Sequence, residues 1–223
     1  MISQLPRWVW TGAWALAFIA GMVNVVGLLG FEHQAITHLT GTTSLLSAAI
    51  GSSDGAGALH FFAVITAFVT GTAISGFIIQ DSTLKLGRRY GVALFLESML
   101  LAFAVPLLNR QNHLGDYLAS CACGLQNAMA STYSGSVVRT THLSGMFTDL
   151  GIFLGHSLRG LAVDSRRLRL CFVIISGFFF GGVAGAILFR SLGYATLFIP
   201  AALTGLAAVV YAFYQLRRPS PGS

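Results

Sequence analysis

The sequence predicts an integral membrane protein of the all-α class, and three observations carry that prediction. Of its 223 residues, 55% are hydrophobic and only 9% are charged, and the mean hydropathy is +0.75. A soluble domain carries roughly a quarter charged residues because its surface faces water. The apolar residues form unbroken runs, such as 171–180, instead of the short alternating strands of a membrane barrel. Because lipid offers no partner to backbone polar groups, such runs should form helices.

Six stretches are apolar over about 17–22 residues, which is enough for a helix to cross a bilayer. Two shorter and more polar segments, 37–50 and 141–154, are predicted to be short helices, re-entrant if they do not cross. The predicted fold is therefore a helical bundle of six full spans plus two short helices. The six spans are residues 8–29, 59–79, 90–108, 117–133, 170–189 and 194–213.

The distribution of basic residues favours six crossings over eight. With six crossings and a cytoplasmic N-terminus, 11 of the 13 Lys and Arg residues lie on the cytoplasmic side, whereas eight crossings give a split of 8 to 5. The positive-inside rule thus predicts both termini in the cytoplasm. It also accounts for the net charge of +6 without a nucleic-acid partner, since the chain has no room for a basic soluble module.

An internal repeat divides the predicted single membrane domain, residues 1–223, into halves of about 8–108 and 112–214. Residues 37–46 (THLTGTTSLL) and 141–150 (THLSGMFTDL) are identical at five of ten positions, and flanking matches recur at nearly the same offset. Three crossings in each half would place the halves upside down relative to each other. Secondary transporters commonly have this plan, with a site near the midplane. The alternative is a duplication that only builds a symmetric bundle.

The repeated motifs also carry a family resemblance. Thr40-Gly41-Thr42, the run Gly124-Leu125-Gln126-Asn127-Ala128, and Thr140–Gly145 leading to Thr148-Asp149-Leu150 resemble the YoaK-like family of bacterial membrane proteins over nearly the whole chain. Thr42 stands where family members often have Asn, and Ser144 where they have Thr. The resemblance implies a protein of the bacterial inner membrane. It implies no established activity, so no functional residues carry over.

Glu97 is the residue that most strongly suggests a function within the spans. It lies near the middle of the third span, where a carboxylate is costly and by default marks a site. We favour its interpretation as a proton or cation carrier. The alternative is a neutral carboxyl group bonded to a neighbouring helix.

A polar series follows the second short segment. His142, Asp149 and His156 are spaced seven residues apart, which places them on one helical face. The series either lines a cavity or forms a wet face turned to the cytoplasm. Its spacing is too wide for a zinc site, so no metal is predicted.

His38 and His142 occupy equivalent positions of the repeat, and Thr40 and Ser144 each follow by two residues. A Ser or Thr here can cap a helix, and the glycine after it allows a ligand or a backbone to come close. Two helix N-termini meeting near the midplane would suit an anion or a polar solute. The alternative is that both histidines only cap or pair helices.

Buried amides and small residues complete the candidate set. Asn24 and Asn127 are related by the repeat and are candidates for the site, although hydrogen bonding between helices is their more ordinary role. Glycines at four-residue spacing should pack helices closely and are also a candidate homodimer face. The glycines concerned are Gly71, Gly177, Gly181 and Gly185.

The leading functional hypothesis is a transporter or exporter of a small polar or ionic solute, with a proton link through Glu97. The rival is a membrane scaffold or sensor that does not transport. The chain has no nucleophile elbow, no phosphate loop and no cofactor fingerprint, so we predict neither an enzyme nor a cofactor. Its three cysteines all lie in apolar stretches, which argues against a disulfide framework. The predicted surroundings are the lipid bilayer.

Overall fold

The computed structural model describes residues 7–79, 89–134 and 138–216, and within these ranges every regular element is a helix. Each predicted segment contains a helix, so the all-α class is confirmed. Four of the basic residues predicted on the cytoplasmic side lie outside the described residues, namely Lys85, Arg88, Arg217 and Arg218. The helices are α1 Arg7–Leu29, α2 Leu39–Gly51, α3 Gly55–Ile78, α4 Arg89–Leu108, α5 Leu114–Ser134, α6 Leu143–Leu158, α7 Ser165–Leu192 and α8 Phe198–Leu216, with a 3₁₀ segment Gly193–Leu197 between the last two.

Four helical stretches of the described chain are long and apolar enough to cross a membrane. They are Trp8–Leu29, Gly55–Ile78, Arg89–Leu108 and the 52-residue stretch Ser165–Leu216, which contains both α7 and α8. α5 is not among them because it carries Ser, Gly, Gln and Asn residues, and most of its length is buried by protein. α2 and α6, of 13 and 16 residues, are about 20 and 24 Å long at 1.5 Å per residue.

Two pairs of helices pack closely, α1 with α7 and α3 with α5, and the two helices of each pair run in the same direction. Gly21 of α1 lies against the Phe178 carbonyl of α7, and Gly181 lies against the Phe18 carbonyl. In the α3–α5 pair, Gly71 meets the Cys121 carbonyl and Gly124 meets the Phe68 carbonyl. The contacts along α1 and α7 run from Trp14 with Gly177 to Phe18 with Gly181. Those along α3 and α5 run from Val64 with Ser120 to Phe68 with Gly124. Residue numbers rise together along both pairs, so each pair is parallel.

The predicted packing glycines lie inside these pairs. Gly177 faces the Trp14 carbonyl, and Gly185 faces Met22 and Val25 of α1. The close approach that small residues allow is therefore used within one chain. This glycine face is covered by α1, which corrects the hypothesis that it serves a homodimer.

α4 and α8 cross in opposite directions. Ser98 donates a hydrogen bond to the Ala201 carbonyl at 2.7 Å, and these residues are 103 positions apart. Gly91, earlier in α4, instead lies beside Tyr211, later in α8. The numbers of the contacting residues thus fall along α8 as they rise along α4. The two helices are therefore antiparallel, and they cross near the middle of α4.

The short helices form hairpins with the helices that follow them. Asp54 caps α3 by accepting from the backbone N–H of Gly57. Asp164, 110 positions later, caps α7 by accepting from Arg166 and Arg167. Phe68 and Phe178, which meet the packing glycines, are also 110 positions apart. Equivalent residues of α3 and α7 therefore differ by 110 positions, both at the N-cap and at the packing face.

Candidate functional site

The chain returns into the bundle before each short helix. Ahead of α2, the backbone N–H and the hydroxyl of Thr37 both donate to Asn24 Oδ1 of α1, at 3.0 and 2.8 Å. Ahead of α6, the Thr140 hydroxyl donates to Gln126 Oε1 of α5 at 3.3 Å. These bonds fix the N-termini of α2 and α6 against the long helices α1 and α5.

His38 and His142 stand at the N-cap positions of α2 and α6, and neither side chain caps its helix. Each ring instead lies over the glycine three residues later. A Cβ on Gly41 would come within 3.3 Å of His38 Nδ1, and one on Gly145 would overlap the His142 ring. The glycines therefore let the imidazoles lie against the two helix starts.

A cavity of about 360 Å³ lies between these helix starts. That volume is near the lower end of the roughly 300–1,000 Å³ typical of small-molecule pockets. All but one of the lining residues fall into pairs that are 103, 104 or 110 positions apart, and Arg139 stands alone. The pairs are Asn24 with Asn127, Thr37 with Thr141, His38 with His142, Leu39 with Leu143, Thr40 with Ser144, and Phe68 with Phe178.

The cavity has a positive electrostatic character. The first N–H groups of α2 and α6 have no partner within their helices, and helix N-termini attract negative charge. Arg139 adds a full positive charge, and none of the described lining residues is Asp or Glu. Asn127 Oδ1 is buried and has no hydrogen-bond partner among the described residues, so this amide is free to bond a ligand.

Glu97 lies outside the cavity but is connected to it. Its side chain is buried, with 2% exposed. Glu97 Oε1 accepts from Gln126 Nε2 at 2.8 Å, and Gln126 in turn accepts from Thr140. Thr140 lies between two lining residues, Arg139 and Thr141. Glu97 Oε2 has no hydrogen-bond partner among the described residues.

The structure separates Asp149 and His156 from His142. Asp149 holds a two-pronged ion pair with Arg167 of α7, with N–O distances of 3.0, 3.1 and 3.3 Å. His156 is exposed near the end of α6. Neither residue lines the cavity. Of the three residues spaced seven positions apart, only His142 therefore lies at the candidate site.

Seven lining residues of the cavity are not among the predicted site residues. They are Thr37, Leu39, Phe68, Arg139, Thr141, Leu143 and Phe178. Arg139 directly precedes the Thr140-Thr141-His142 motif, and this position beside the repeat is the signal that indicates it. Phe68 and Phe178 gave no signal, because aromatic residues are ordinary in apolar spans.

A larger groove of about 530 Å³ is lined mainly by apolar residues, including Trp8, Leu16, Tyr90, Leu203 and Tyr211. An apolar groove on a membrane helix bundle needs no solute, because lipid chains can fill it. The smaller polar cavity between the starts of α2 and α6 is therefore the candidate site for a polar solute.

Comparison with known proteins gives a family but no activity. The family described as "Protein of unknown function (DUF1275)" matches residues 12–210. The chain is 30% identical over 204 residues to the UPF0700 transmembrane protein RA0705 of Rhizobium meliloti (strain 1021), covering 92% of this chain and 86% of the relative. No solved structure matches. The YoaK-like resemblance is thus confirmed only as membership of a membrane-protein family of unknown function.

Proposed function

The chain belongs to the DUF1275 family, and we propose that it transports a small anion across the bacterial inner membrane. The observation that carries this proposal is the positive cavity lined in pairs between the starts of α2 and α6. A scaffold needs no such cavity. A transporter needs one that both sides of the membrane can reach in turn.

We propose six crossings built from two inverted repeats. The antiparallel crossing of α4 and α8 supports this arrangement, because equivalent helices point in opposite directions only if each half crosses an odd number of times. Eight full crossings would give α4 and α8 the same direction. The lengths of α2 and α6 support it too, since about 20 and 24 Å falls short of the roughly 30 Å hydrocarbon layer.

The paired lining supports a cavity near the membrane midplane. A set of positions that a two-fold rotation exchanges is centred on the rotation axis. The same axis would pass between Ser98 and Ala201, which are bonded across it. Ser98 lies halfway along α4, so the axis and the cavity would lie at about half the membrane depth. Midplane sites between inverted repeats are the usual plan of secondary transporters.

Charge supports an anion as the solute. Each helix N-terminus is equivalent to roughly +0.5 of an elementary charge, so the pair contributes about +1, and Arg139 brings the total to about +2. In low-dielectric surroundings this charge disfavours a cation and stabilises an anion. The amide of Asn127 and the hydroxyls of Thr40 and Ser144 add hydrogen-bond partners.

The hydrogen-bonded series from Glu97 to Thr140 supports a proton link. A carboxyl group that gains or loses a proton at one end would alter the segment that lines the cavity at the other end. Glu97 would thus act through Gln126 on the anion site without contacting the solute.

The test is anion-evoked current on proteoliposomes adsorbed to a solid-supported membrane, with chloride, nitrate, acetate, phosphate and sulfate as probes. We expect at least one anion to evoke current with the wild type. Arg139→Gln should reduce that current about 10- to 100-fold, since a hydrogen bond to a charged group is worth about 1.5–3 kcal/mol.

Arg159→Gln is the matched control, because Arg159 is exposed at the end of α6 and does not line the cavity. It should leave the current unchanged. Equal currents from the wild type and Arg139→Gln would contradict the proposal. Anions that bind to the wild type but neither evoke current nor enter the proteoliposomes would instead favour the sensor hypothesis. Uptake is measured as well because one-to-one symport of a proton with a monovalent anion carries no net charge.

A further inference from the structure

Two loops and a helix start bring Glu32, His60 and His113 together at one end of the bundle, and we propose that they bind a divalent transition-metal ion of the Zn²⁺ class. His113 Nδ1 lies 3.0 Å from Glu32 Oε1, and His60 Nε2 lies 3.7 Å from Glu32 Oε2. One ligand atom from each residue lies within 4.8 Å of the others. Tetrahedral ligands about 2.1 Å from zinc stand roughly 3.4 Å apart, so small side-chain movements would complete the coordination.

The side-chain oxygen of Gln34 is a fourth candidate metal ligand beside the three. Its Nε2 donates to Thr42 Oγ1 at 3.0 Å, which leaves Gln34 Oε1 facing His60 Nε2 at 3.2 Å. Two oxygens, from Gln34 and Glu32, thus approach one imidazole nitrogen. A single N–H can serve only one of them well, whereas a cation serves both oxygens and the nitrogen.

Tyr117 supports the imidazole from its other side. The Tyr117 hydroxyl lies 3.2 Å from His60 Nδ1 and can accept a hydrogen bond from it. Metal-binding histidines usually make such a bond through the second nitrogen, which directs the lone pair of the first toward the metal. The His60 side chain is only 9% exposed, whereas that of His113 is 52% exposed, so the site is held firmly on one side and open on the other.

Asp116 provides an independent indication of a cation. It is only 7% exposed, and its Oδ2 is buried without a hydrogen-bond partner among the described residues. A divalent ion bound by Glu32 and His113 would supply positive charge near this buried carboxyl group.

The fold itself does not need this cluster. In the other half, the positions equivalent to His113 and His60 hold Trp10 and Leu170, which pack together in an apolar cluster. Ala13 stands in the position equivalent to Asp116. This step uses the proposed repeat, but the coordination geometry does not, and the metal site is independent of anion transport.

The experiment is calorimetric titration of Zn²⁺ into the full chain in detergent, purified without a polyhistidine tag and stripped with a chelator. We expect saturable binding of one ion per chain. Glu32→Gln and His113→Gln should each weaken binding at least about tenfold, the size of effect expected even from supporting residues around a metal.

His33→Asn and His156→Gln are the matched controls, because both histidines are exposed and lie outside the cluster. They should bind Zn²⁺ as the wild type does. Absence of saturable binding by the wild type would overturn the proposal, and so would wild-type affinity in His113→Gln.

Zinc K-edge absorption fine structure of the loaded wild type gives a test that requires no variant. We expect a first shell of nitrogen and oxygen, with the outer-shell scattering of two imidazoles. A first shell containing sulfur would place the metal at the cysteines and contradict the proposal.

Discussion

Glu97 is held by the amide of Gln126, and Gln126 by the hydroxyl of Thr140. At the equivalent positions of the other half stand Pro200, Val23 and Ile36, which form no such series. A polar series in one half alone is not demanded by the architecture. Its chemistry at residue scale is therefore the best indication of what would drive the proposed transport.

Glu97→Gln tests this series. The amide keeps nearly the shape of the carboxyl group and can still bond Gln126, so we expect the free energy of unfolding to change by no more than about 1 kcal/mol. It cannot exchange a proton, so the dependence of anion flux on a pH gradient should be lost. Flux in proteoliposomes with and without an imposed gradient measures this.

Asp149→Asn is the matched control. Asp149 pairs with Arg167 at the surface, and such pairs contribute about 0–1 kcal/mol, so both stability and gradient dependence should be retained. Glu97→Gln protein that still responds to the gradient like the wild type would remove Glu97 from the mechanism.

The sequence predicted part of the candidate site because the repeat is visible in it. His38, His142, Asn24 and Asn127 were selected as equivalent pairs, and the cavity contains all four. Asp149 was selected by helical spacing, which indicates a shared face but not which helix packs there, and α7 supplies its partner Arg167.

The sequence does not predict the cluster of Glu32, His60 and His113, for a similar reason. Its members are 28 and 53 positions apart and carry no local spacing. Only the packing of α3 against α5, and the return of the chain after α1, bring them together.

At the scale of helices, the parallel pairs depend on backbone contact at glycine. A Cβ on Gly181 or Gly71 would overlap a carbonyl of the facing helix. The helices would have to separate, because backbone atoms cannot rotate away as a flexible side chain can. The two pairs should therefore respond alike to the same change.

We expect Gly71→Ala and Gly181→Ala each to destabilise the protein by about 1–3 kcal/mol or more, measured by thermal unfolding in detergent. Gly76→Ala is the matched control, since a Cβ there meets nothing within 4 Å. It should be neutral or stabilising by up to about 1 kcal/mol because alanine favours helix. Unchanged stability of Gly181→Ala would contradict the close packing of α1 and α7.

Helix positions were predictable from hydropathy, whereas helix surroundings were not. The six apolar stretches and two short segments all contain helices close to the expected bounds. α5, predicted as the span 117–133, is less apolar than the other long helices. Its Ser120 and Gln126 lower its mean hydropathy, and both side chains are buried by neighbouring helices. The offset of 110 between α3 and α7 was likewise hidden, because repetitive apolar residues align equally well in several registers.

At the scale of the whole molecule, two parallel helix pairs and one antiparallel helix crossing define the arrangement of the two halves. α1 with α7 and α3 with α5 are related as equivalent pairs, and α4 meets α8 at equivalent residues. The rotation that exchanges the halves would then lie in the membrane plane. Everything proposed about the cavity depends on that orientation.

Topology is therefore the first measurement, by labelling single cysteines in intact cells with an impermeant thiol reagent after replacing Cys121, Cys123 and Cys171. Ser53→Cys and Asn109→Cys distinguish the arrangements, because six crossings place both outside and eight place both inside. Ser191→Cys should label and Ser157→Cys should not in either arrangement, and all four positions are exposed. We predict that Ser53→Cys and Asn109→Cys label as strongly as Ser191→Cys. If both stay unlabelled, as Ser157→Cys should, the halves run parallel and the inverted-repeat transporter is contradicted.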